Sequence, residues 1–267
     1  MTAPTLRAVR AAALAAAALL LAGAPVAAQG NPFGRSWFRI TAGADRVSAG
    51  YDDWTSLEAR TATVLSARDL FLGEVRWQRA FGDEGVYGAG GLRHAFGADW
   101  LATATVGGGS GRFALPELRA DLALHRKLLA SRRLLATAGL TLVRSKDVYR
   151  DRAALVSLTY YWPAAALEVG GRINWSHPGA EASARGLAAL TLGRDGGRRF
   201  VLRGSAGRES YQLVTAGGAL RSFASQEAGV EWQQWLGPNW SLVVGGEYYH
   251  SPYYERGGGR LGVARHW

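Results

Sequence analysis

The sequence predicts an all-β fold, an antiparallel up-and-down transmembrane β-barrel of 12–14 strands, with 14 favoured. Three observations carry that prediction. Apolar and polar residues alternate with period two along most of the chain, the pattern of strands with one apolar and one polar face. The alternating segments run roughly 10–12 residues, the length a tilted membrane strand needs and about twice the usual globular strand. Trp and Tyr gather near segment ends, at Trp37, Trp54, Trp77, Trp100, Tyr160, Trp162, Trp175, Trp235, Trp240, Tyr248 and Tyr249, as in the interface girdle of a barrel.

The first element is a targeting segment. Residues 1–28 have the build of a secretory signal peptide. Arg7 and Arg10 make a positive start, Ala11 to Ala22 is a run of Ala and Leu, and Val26-Ala27-Ala28 offers small residues for cleavage. The run is too short to span a membrane as a helix. Its removal takes away two Arg and no acid, so the net charge of +10 falls to +8. Residues 29–35 then form a short periplasmic segment, and residues 36–267 the barrel domain. Export out of the cytoplasm argues against nucleic acid as a partner, despite a pI near 10.4.

Fourteen strands are expected, at 36–47, 53–65, 70–81, 85–96, 99–108, 117–129, 132–144, 151–162, 164–175, 182–193, 198–209, 220–235, 239–250 and 258–267. In the sixth and seventh the helix formers Ala, Leu and Arg abound, but Leu118, Leu122 and Leu124 share a parity that a helix would not give them. Terse turns at Gly97-Ala98, Ala130-Ser131, Pro163 and Leu236-Gly237-Pro238 alternate with longer loops at 109–116, 145–150, 176–181, 210–219 and 251–257. Short turns on one rim and long loops on the other are an outer-membrane pattern. The loop at Gly82-Asp83-Glu84 breaks it. With no apolar run of 18 residues after the leader, a closed barrel is the one way this chain could cross a bilayer, since unpaired backbone groups in lipid cost several kcal/mol each. A chain without Cys has no disulfide, thiolate zinc site or thiol nucleophile. Despite 36 Gly, its 10% aromatic and 48% hydrophobic residues argue against disorder.

Several stretches resemble the YaiO family of outer-membrane β-barrel proteins. They are Tyr51-Asp52-Asp53-Trp54, the Arg76-Trp77 strand ending at Phe81-Gly82, Phe113-Ala114-Leu115-Pro116-Glu117-Leu118-Arg119-Ala120-Asp121-Leu122, and Val148-Tyr149-Arg150 leading on to Tyr160 and Pro163. The resemblance covers most of residues 36–267. It implies a barrel in the outer membrane of a diderm bacterium and says little about activity. Some relatives carry an N-terminal helical-repeat region and are linked with exopolysaccharide, so the resemblance also implies a polysaccharide partner. Trp267, with Leu261 and Val263 on its face, resembles the C-terminal signal read by the outer-membrane assembly machinery. Outer-membrane lipid and lipopolysaccharide complete the expected partners.

The polar parity carries the most informative constellation. Glu58, Arg60, Glu74, Arg76, Arg93, Arg119, Asp121, Glu168, Arg172, Arg185, Arg203, Glu231 and Glu247 are expected to face the lumen as a ladder of mixed charge. An Arg on the lipid face at mid-membrane would cost ~2–4 kcal/mol. Such a ladder either braces the interior or favours anions in a passage. No phosphate-binding loop, dinucleotide fingerprint, zinc motif or nucleophile elbow is present. The expectation is therefore no enzyme, cofactor or metal: a structural barrel or passive channel. The sequence leaves two alternatives open. One is a barrel hydrolase acting on lipid or envelope glycan through His125, His177 or His250. The other is a soluble periplasmic β-sandwich binding module.

Overall fold

The structure is a computed structural model describing residues 33–110, 115–146, 149–178, 181–212 and 220–267. The expected signal peptide, residues 1–28, lies outside the described residues. The strands are β1 (Trp37–Val47), β2 (Trp54–Val64), β3 (Asp69–Ala80), β4 (Asp83–Phe96), β5 (Trp100–Gly109), β6 (Leu118–Leu128), β7 (Leu134–Arg144), β8 (Arg150–Trp162), β9 (Ala165–His177), β10 (Glu181–Gly193), β11 (Arg198–Gln212), β12 (Leu220–Trp235), β13 (Trp240–His250) and β14 (Glu255–His266). Each pairs antiparallel with its neighbours in sequence. β1 closes on β14 from Trp37 opposite His266 to Val47 opposite Arg256. A fourteen-strand closed sheet rules out the β-sandwich. Closure leaves no edge, so every strand meets its backbone bonding within the sheet.

The period-two pattern decides which wall is which. Leu122, Leu124, Leu140, Leu142, Val156, Leu158, Val169, Ile173, Leu202, Val244, Leu261 and Val263 point outward and are exposed. In water such a continuous apolar belt would be a liability; in a membrane it meets hydrocarbon. The opposite parity points inward and holds the charges.

The two rims differ. One carries both ends of the barrel and the turns at 65–68, 97–99, 129–133, 163–164, 194–197 and 236–239. Its inner side is apolar where Ala62, Val64 and Leu70 pack with Phe33, Trp37 and Leu72. By the usual asymmetry of outer-membrane barrels this is the periplasmic rim. The longest connections, 110–117 and 213–219, leave the other rim.

Three expectations need correction. The contrast in loop length is weaker than the sequence suggests, because strands extend beyond the predicted segments at the outer rim. β9 reaches His177, β11 reaches Gln212 and β14 begins at Glu255, not at 258. The exception at 82–84 becomes a two-residue hairpin of Phe81 and Gly82, with φ of 53° and 73°. Two successive left-handed residues make the turn whose twist matches the strands it joins. The aromatic girdle is also smaller. Trp100, Trp162, Trp175, Trp240 and Tyr248 are exposed on the outward face, but Trp37, Trp54, Trp235 and Tyr249 lie on the inward parity. Trp235 stacks near His266 with centroids 5.2 Å apart, and Arg256 lies 4.2 Å over Trp54.

Candidate functional site

The lumen is the candidate site, and its chemistry follows from β-strand alternation. All thirteen sequence-predicted charges sit on the inward parity of their strands. Register brings many of them together. Glu58 stands opposite Arg76 and Arg60 opposite Glu74 on β2 and β3. The four make one network, with Arg60 at 2.9 Å from Glu58 and 3.4 Å from Glu74, and Arg76 at 2.8 Å from both carboxylates. On β6 Arg119 binds Asp121 at 2.7 and 3.0 Å, and the Thr141 hydroxyl donates to the same carboxylate at 2.8 Å.

The seam where the barrel closes carries residues the sequence reasoning missed. Arg39 of β1 reaches Glu231 of β12 at 3.2 Å. Glu247, only 10% exposed, takes Arg203 at 3.4 Å, Arg256 at 3.1 Å and Arg260 in close contact. Arg256 also approaches Asp45 at 3.8 Å. Arg185 pairs with Glu209, and the Tyr249 hydroxyl donates to that carboxylate at 3.1 Å. Space for these long side chains comes from inward-facing glycines. A Cβ on Gly229 would lie 2.7 Å from Arg203 Nε, and one on Gly245 would lie 2.9 Å from Arg260 Cγ. Each guanidinium stem lies across a glycine on the neighbouring strand.

On the other wall the cations are less well matched. Arg172 of β9 stands directly opposite Arg185 of β10. Its charged surroundings are Arg119, Asp121, Asp151 and Arg185. Among the described residues no carboxylate lies within ion-pair distance of it. Arg93 donates to the Thr103 hydroxyl at 3.0 Å and likewise lacks a paired acid. Glu168 shares that stretch of the lumen with Arg93, His125 and Tyr161.

Between the clusters lie cavities. One of about 560 Å³ opens at the periplasmic end beside Arg39, Arg199, Glu231 and Gln233. One of about 570 Å³ lies among Glu74, Arg76, Tyr87, Arg119 and Asp121. A third, of about 220 Å³, sits among Asp45, Glu58, Glu247, Arg256 and Arg260.

The histidines proposed for a hydrolase are dispersed. His125 meets the Thr103 and Thr137 hydroxyls at 3.3 and 3.0 Å, far along the strand from Asp121. His250 lies against Glu255 at 3.1 Å on the outer rim, half exposed. His177 ends β9 and points outward. A Ser–His contact that the sequence did not suggest joins Ser241 and His266 at 3.0 Å. Ser241 is 1% exposed and also accepts from Gln233 at 2.7 Å, so this contact fastens β12, β13 and β14 together. Among the described residues no three His, Asp or Glu side chains converge as a metal site.

Solved structures share this architecture. The chain superposes on the outer membrane protein Omp33 of Acinetobacter baumannii with a TM-score of 0.53, at 11% identity over 90% of this chain and all of that one. It resembles the translocator domain of autotransporter NalP from Neisseria meningitidis, with a TM-score of 0.51 at 14% identity over 97% of this chain and 95% of that one. It also resembles the COG4313 outer membrane channel of Pseudomonas putida F1, with a TM-score of 0.51 at 9% identity over 92% of this chain and 100% of that one. At such identities the likeness concerns the fold. No curated protein matches the sequence. The family model of the YaiO membrane β-barrel domain matches residues 36–212, and this chain, an outer-membrane β-barrel protein, belongs to the YaiO family.

Proposed function

We propose that the barrel is a passive, narrow passage of the outer membrane that favours small anions and carries out no chemistry of its own. The observation that carries this reading is Arg172 facing Arg185 across β9 and β10, with Arg119 as a further cation acting on Arg172. Like charges directly opposite one another destabilise a sheet. Arg119 and Arg185 are offset by Asp121 and Glu209, while Arg172 retains its charge for a passing solute. A wall of fixed cations raises the local concentration of anions and repels cations. The paired clusters on β1–β3 and β11–β14 brace the opposite wall and narrow the lumen. A leader at residues 1–28 supports export across the inner membrane, and β14 supports recognition by the assembly machinery.

Planar bilayers containing the purified protein test the proposal. A KCl gradient should give a reversal potential of the sign that marks chloride as the favoured ion. Absence of conductance over many insertions would refute the passage, and a cation-selective potential would refute the assigned role of Arg172.

A further inference from the structure

A second set of arginines lies on the wrong wall for a lumen. β7, β8 and β9 present two neighbouring rows on their outward faces near the outer rim. In the upper row Arg144 stands opposite Arg150, which stands opposite His177. In the row below, Leu142 stands opposite Arg152, which stands opposite Trp175. Further down, the same faces carry Leu140, Val156, Leu158, Val169 and Ile173, all exposed. Trp162 marks the far end of the belt on β8. Arg152 lies ten residues along the strand from Trp162, about the length of a tilted membrane strand. It therefore stands at the outer edge of the hydrocarbon, with Arg150 and Arg144 just beyond.

These cations have little protein to answer them. Arg144 approaches Glu117 at 3.2 Å, with both side chains well exposed. Among the described residues neither the Arg150 nor the Arg152 side chain has a hydrogen bond or ion pair. Adjacent like charges on one face of a sheet repel unless something anionic sits over them. Arg at the membrane edge, next to an aromatic and an aliphatic side chain, is a ready site for a phosphate whose acyl chains run down the barrel wall.

We infer that this patch binds the phosphate groups of a phosphorylated glycolipid, the lipopolysaccharide of the outer leaflet. Arg150 and Arg152 would clasp the phosphate, with Arg144 and His177 adding charge from above. Trp175 and Leu142 would flank the sugar–acyl junction, and the leucines below would meet the chains. The site lies on the lipid-facing wall and is independent of any passage through the lumen.

The test uses the full chain folded in detergent, with fluorescent diphosphoryl lipid A as the probe. Native protein should bind it, and Arg150→Gln combined with Arg152→Gln should weaken binding by about tenfold to a hundredfold, the loss of two charge-assisted contacts. Arg150→Lys with Arg152→Lys, which keeps the cations, should bind far more tightly than the Gln pair. Arg132→Gln with Arg133→Gln, at the periplasmic rim, should leave binding unchanged. Heat-modifiable gel mobility reports that each variant is folded, and Arg152→Gln alone replaces the pair if the pair does not fold. Equal binding of native protein and the folded Gln variant would overturn the assignment. So would equal affinity for lipid A stripped of its phosphates, which would leave only an acyl contact, or for phosphatidylglycerol, which would leave a general anionic-lipid surface.

Discussion

Glu247 is the carboxylate on which the closing seam depends, and replacing it with Gln is the sharpest probe of the lumen. The substitution keeps shape and removes one charge. Three guanidiniums face it, from Arg203, Arg256 and Arg260. They do not count equally. Arg203 is 46% exposed, so its share is largely screened. Arg256 retains Asp45 at 3.8 Å and the face of Trp54 at 4.2 Å. Arg260 has no other carboxylate within ion-pair distance among the described residues, and loses the most. Removing one partner of a buried pair costs roughly 3–5 kcal/mol; with partial exposure of the cations the expected cost here is about 3 kcal/mol. Urea unfolding of the barrel in lipid vesicles, followed by Trp fluorescence, measures it. The partner control is Glu255→Gln on the outer rim, where His250 is its exposed partner, expected to change stability by less than about 1 kcal/mol. A Glu247→Gln variant within about 1 kcal/mol of native would refute the view that this carboxylate holds the seam.

Other expectations follow from the same geometry. Val169→Arg places a cation on the lipid wall and should cost about 2–4 kcal/mol in the same unfolding assay; a neutral result would contradict the assignment of that wall to lipid. Gly245→Val puts a side chain where Arg260 lies, 2.9 Å from its Cγ and 3.0 Å from the Val230 carbonyl oxygen, and should destabilise the barrel by about 1–3 kcal/mol. Glu247→Gln and Gly245→Val act on one contact, so the double variant should lose less than the sum of the two. Arg172→Glu should move the bilayer reversal potential toward cations, whereas Arg203→Gln, a partly exposed and paired cation, should move it less.

Much of this molecule was legible in the chain because alternation is a local signal. Leu167, Val169 and Ile173 against Glu168, Gly170 and Arg172 assign both walls of β9 without any tertiary information. The same contrast puts all thirteen charges of the predicted ladder on the inward parity. It failed where both parities are alike. Gly257-Gly258-Gly259 gives no apolar contrast, so alternation marks β14 only from 258, whereas the strand begins at Glu255 and includes Arg256. Arg39 lies between Phe38 and Ile40 but shares its face with Trp37, which masks the polar parity. The girdle failed for a related reason: Trp54, Trp235 and Tyr249 stand near strand ends, and position along a strand does not tell which face they take. Partners were harder still. Arg39 meets Glu231 across the closing seam, 192 residues away in sequence, and only the closed register brings them together. The like-charge pair of Arg172 and Arg185 needed the β9–β10 register in the same way.

The claim beneath all of this is that alternate residues of one strand see water and lipid in turn. The native chain has no Cys, so single-cysteine variants along β9 report it without background. Cysteines at 168, 170, 172 and 174, in protein folded into lipid vesicles, should react with a charged, membrane-impermeant thiol reagent. Cysteines at 167, 169, 171 and 173 should resist it and react with a lipid-soluble maleimide. Uniform labelling along the strand, or labelling with the opposite parity, would contradict the barrel and the charged lumen together.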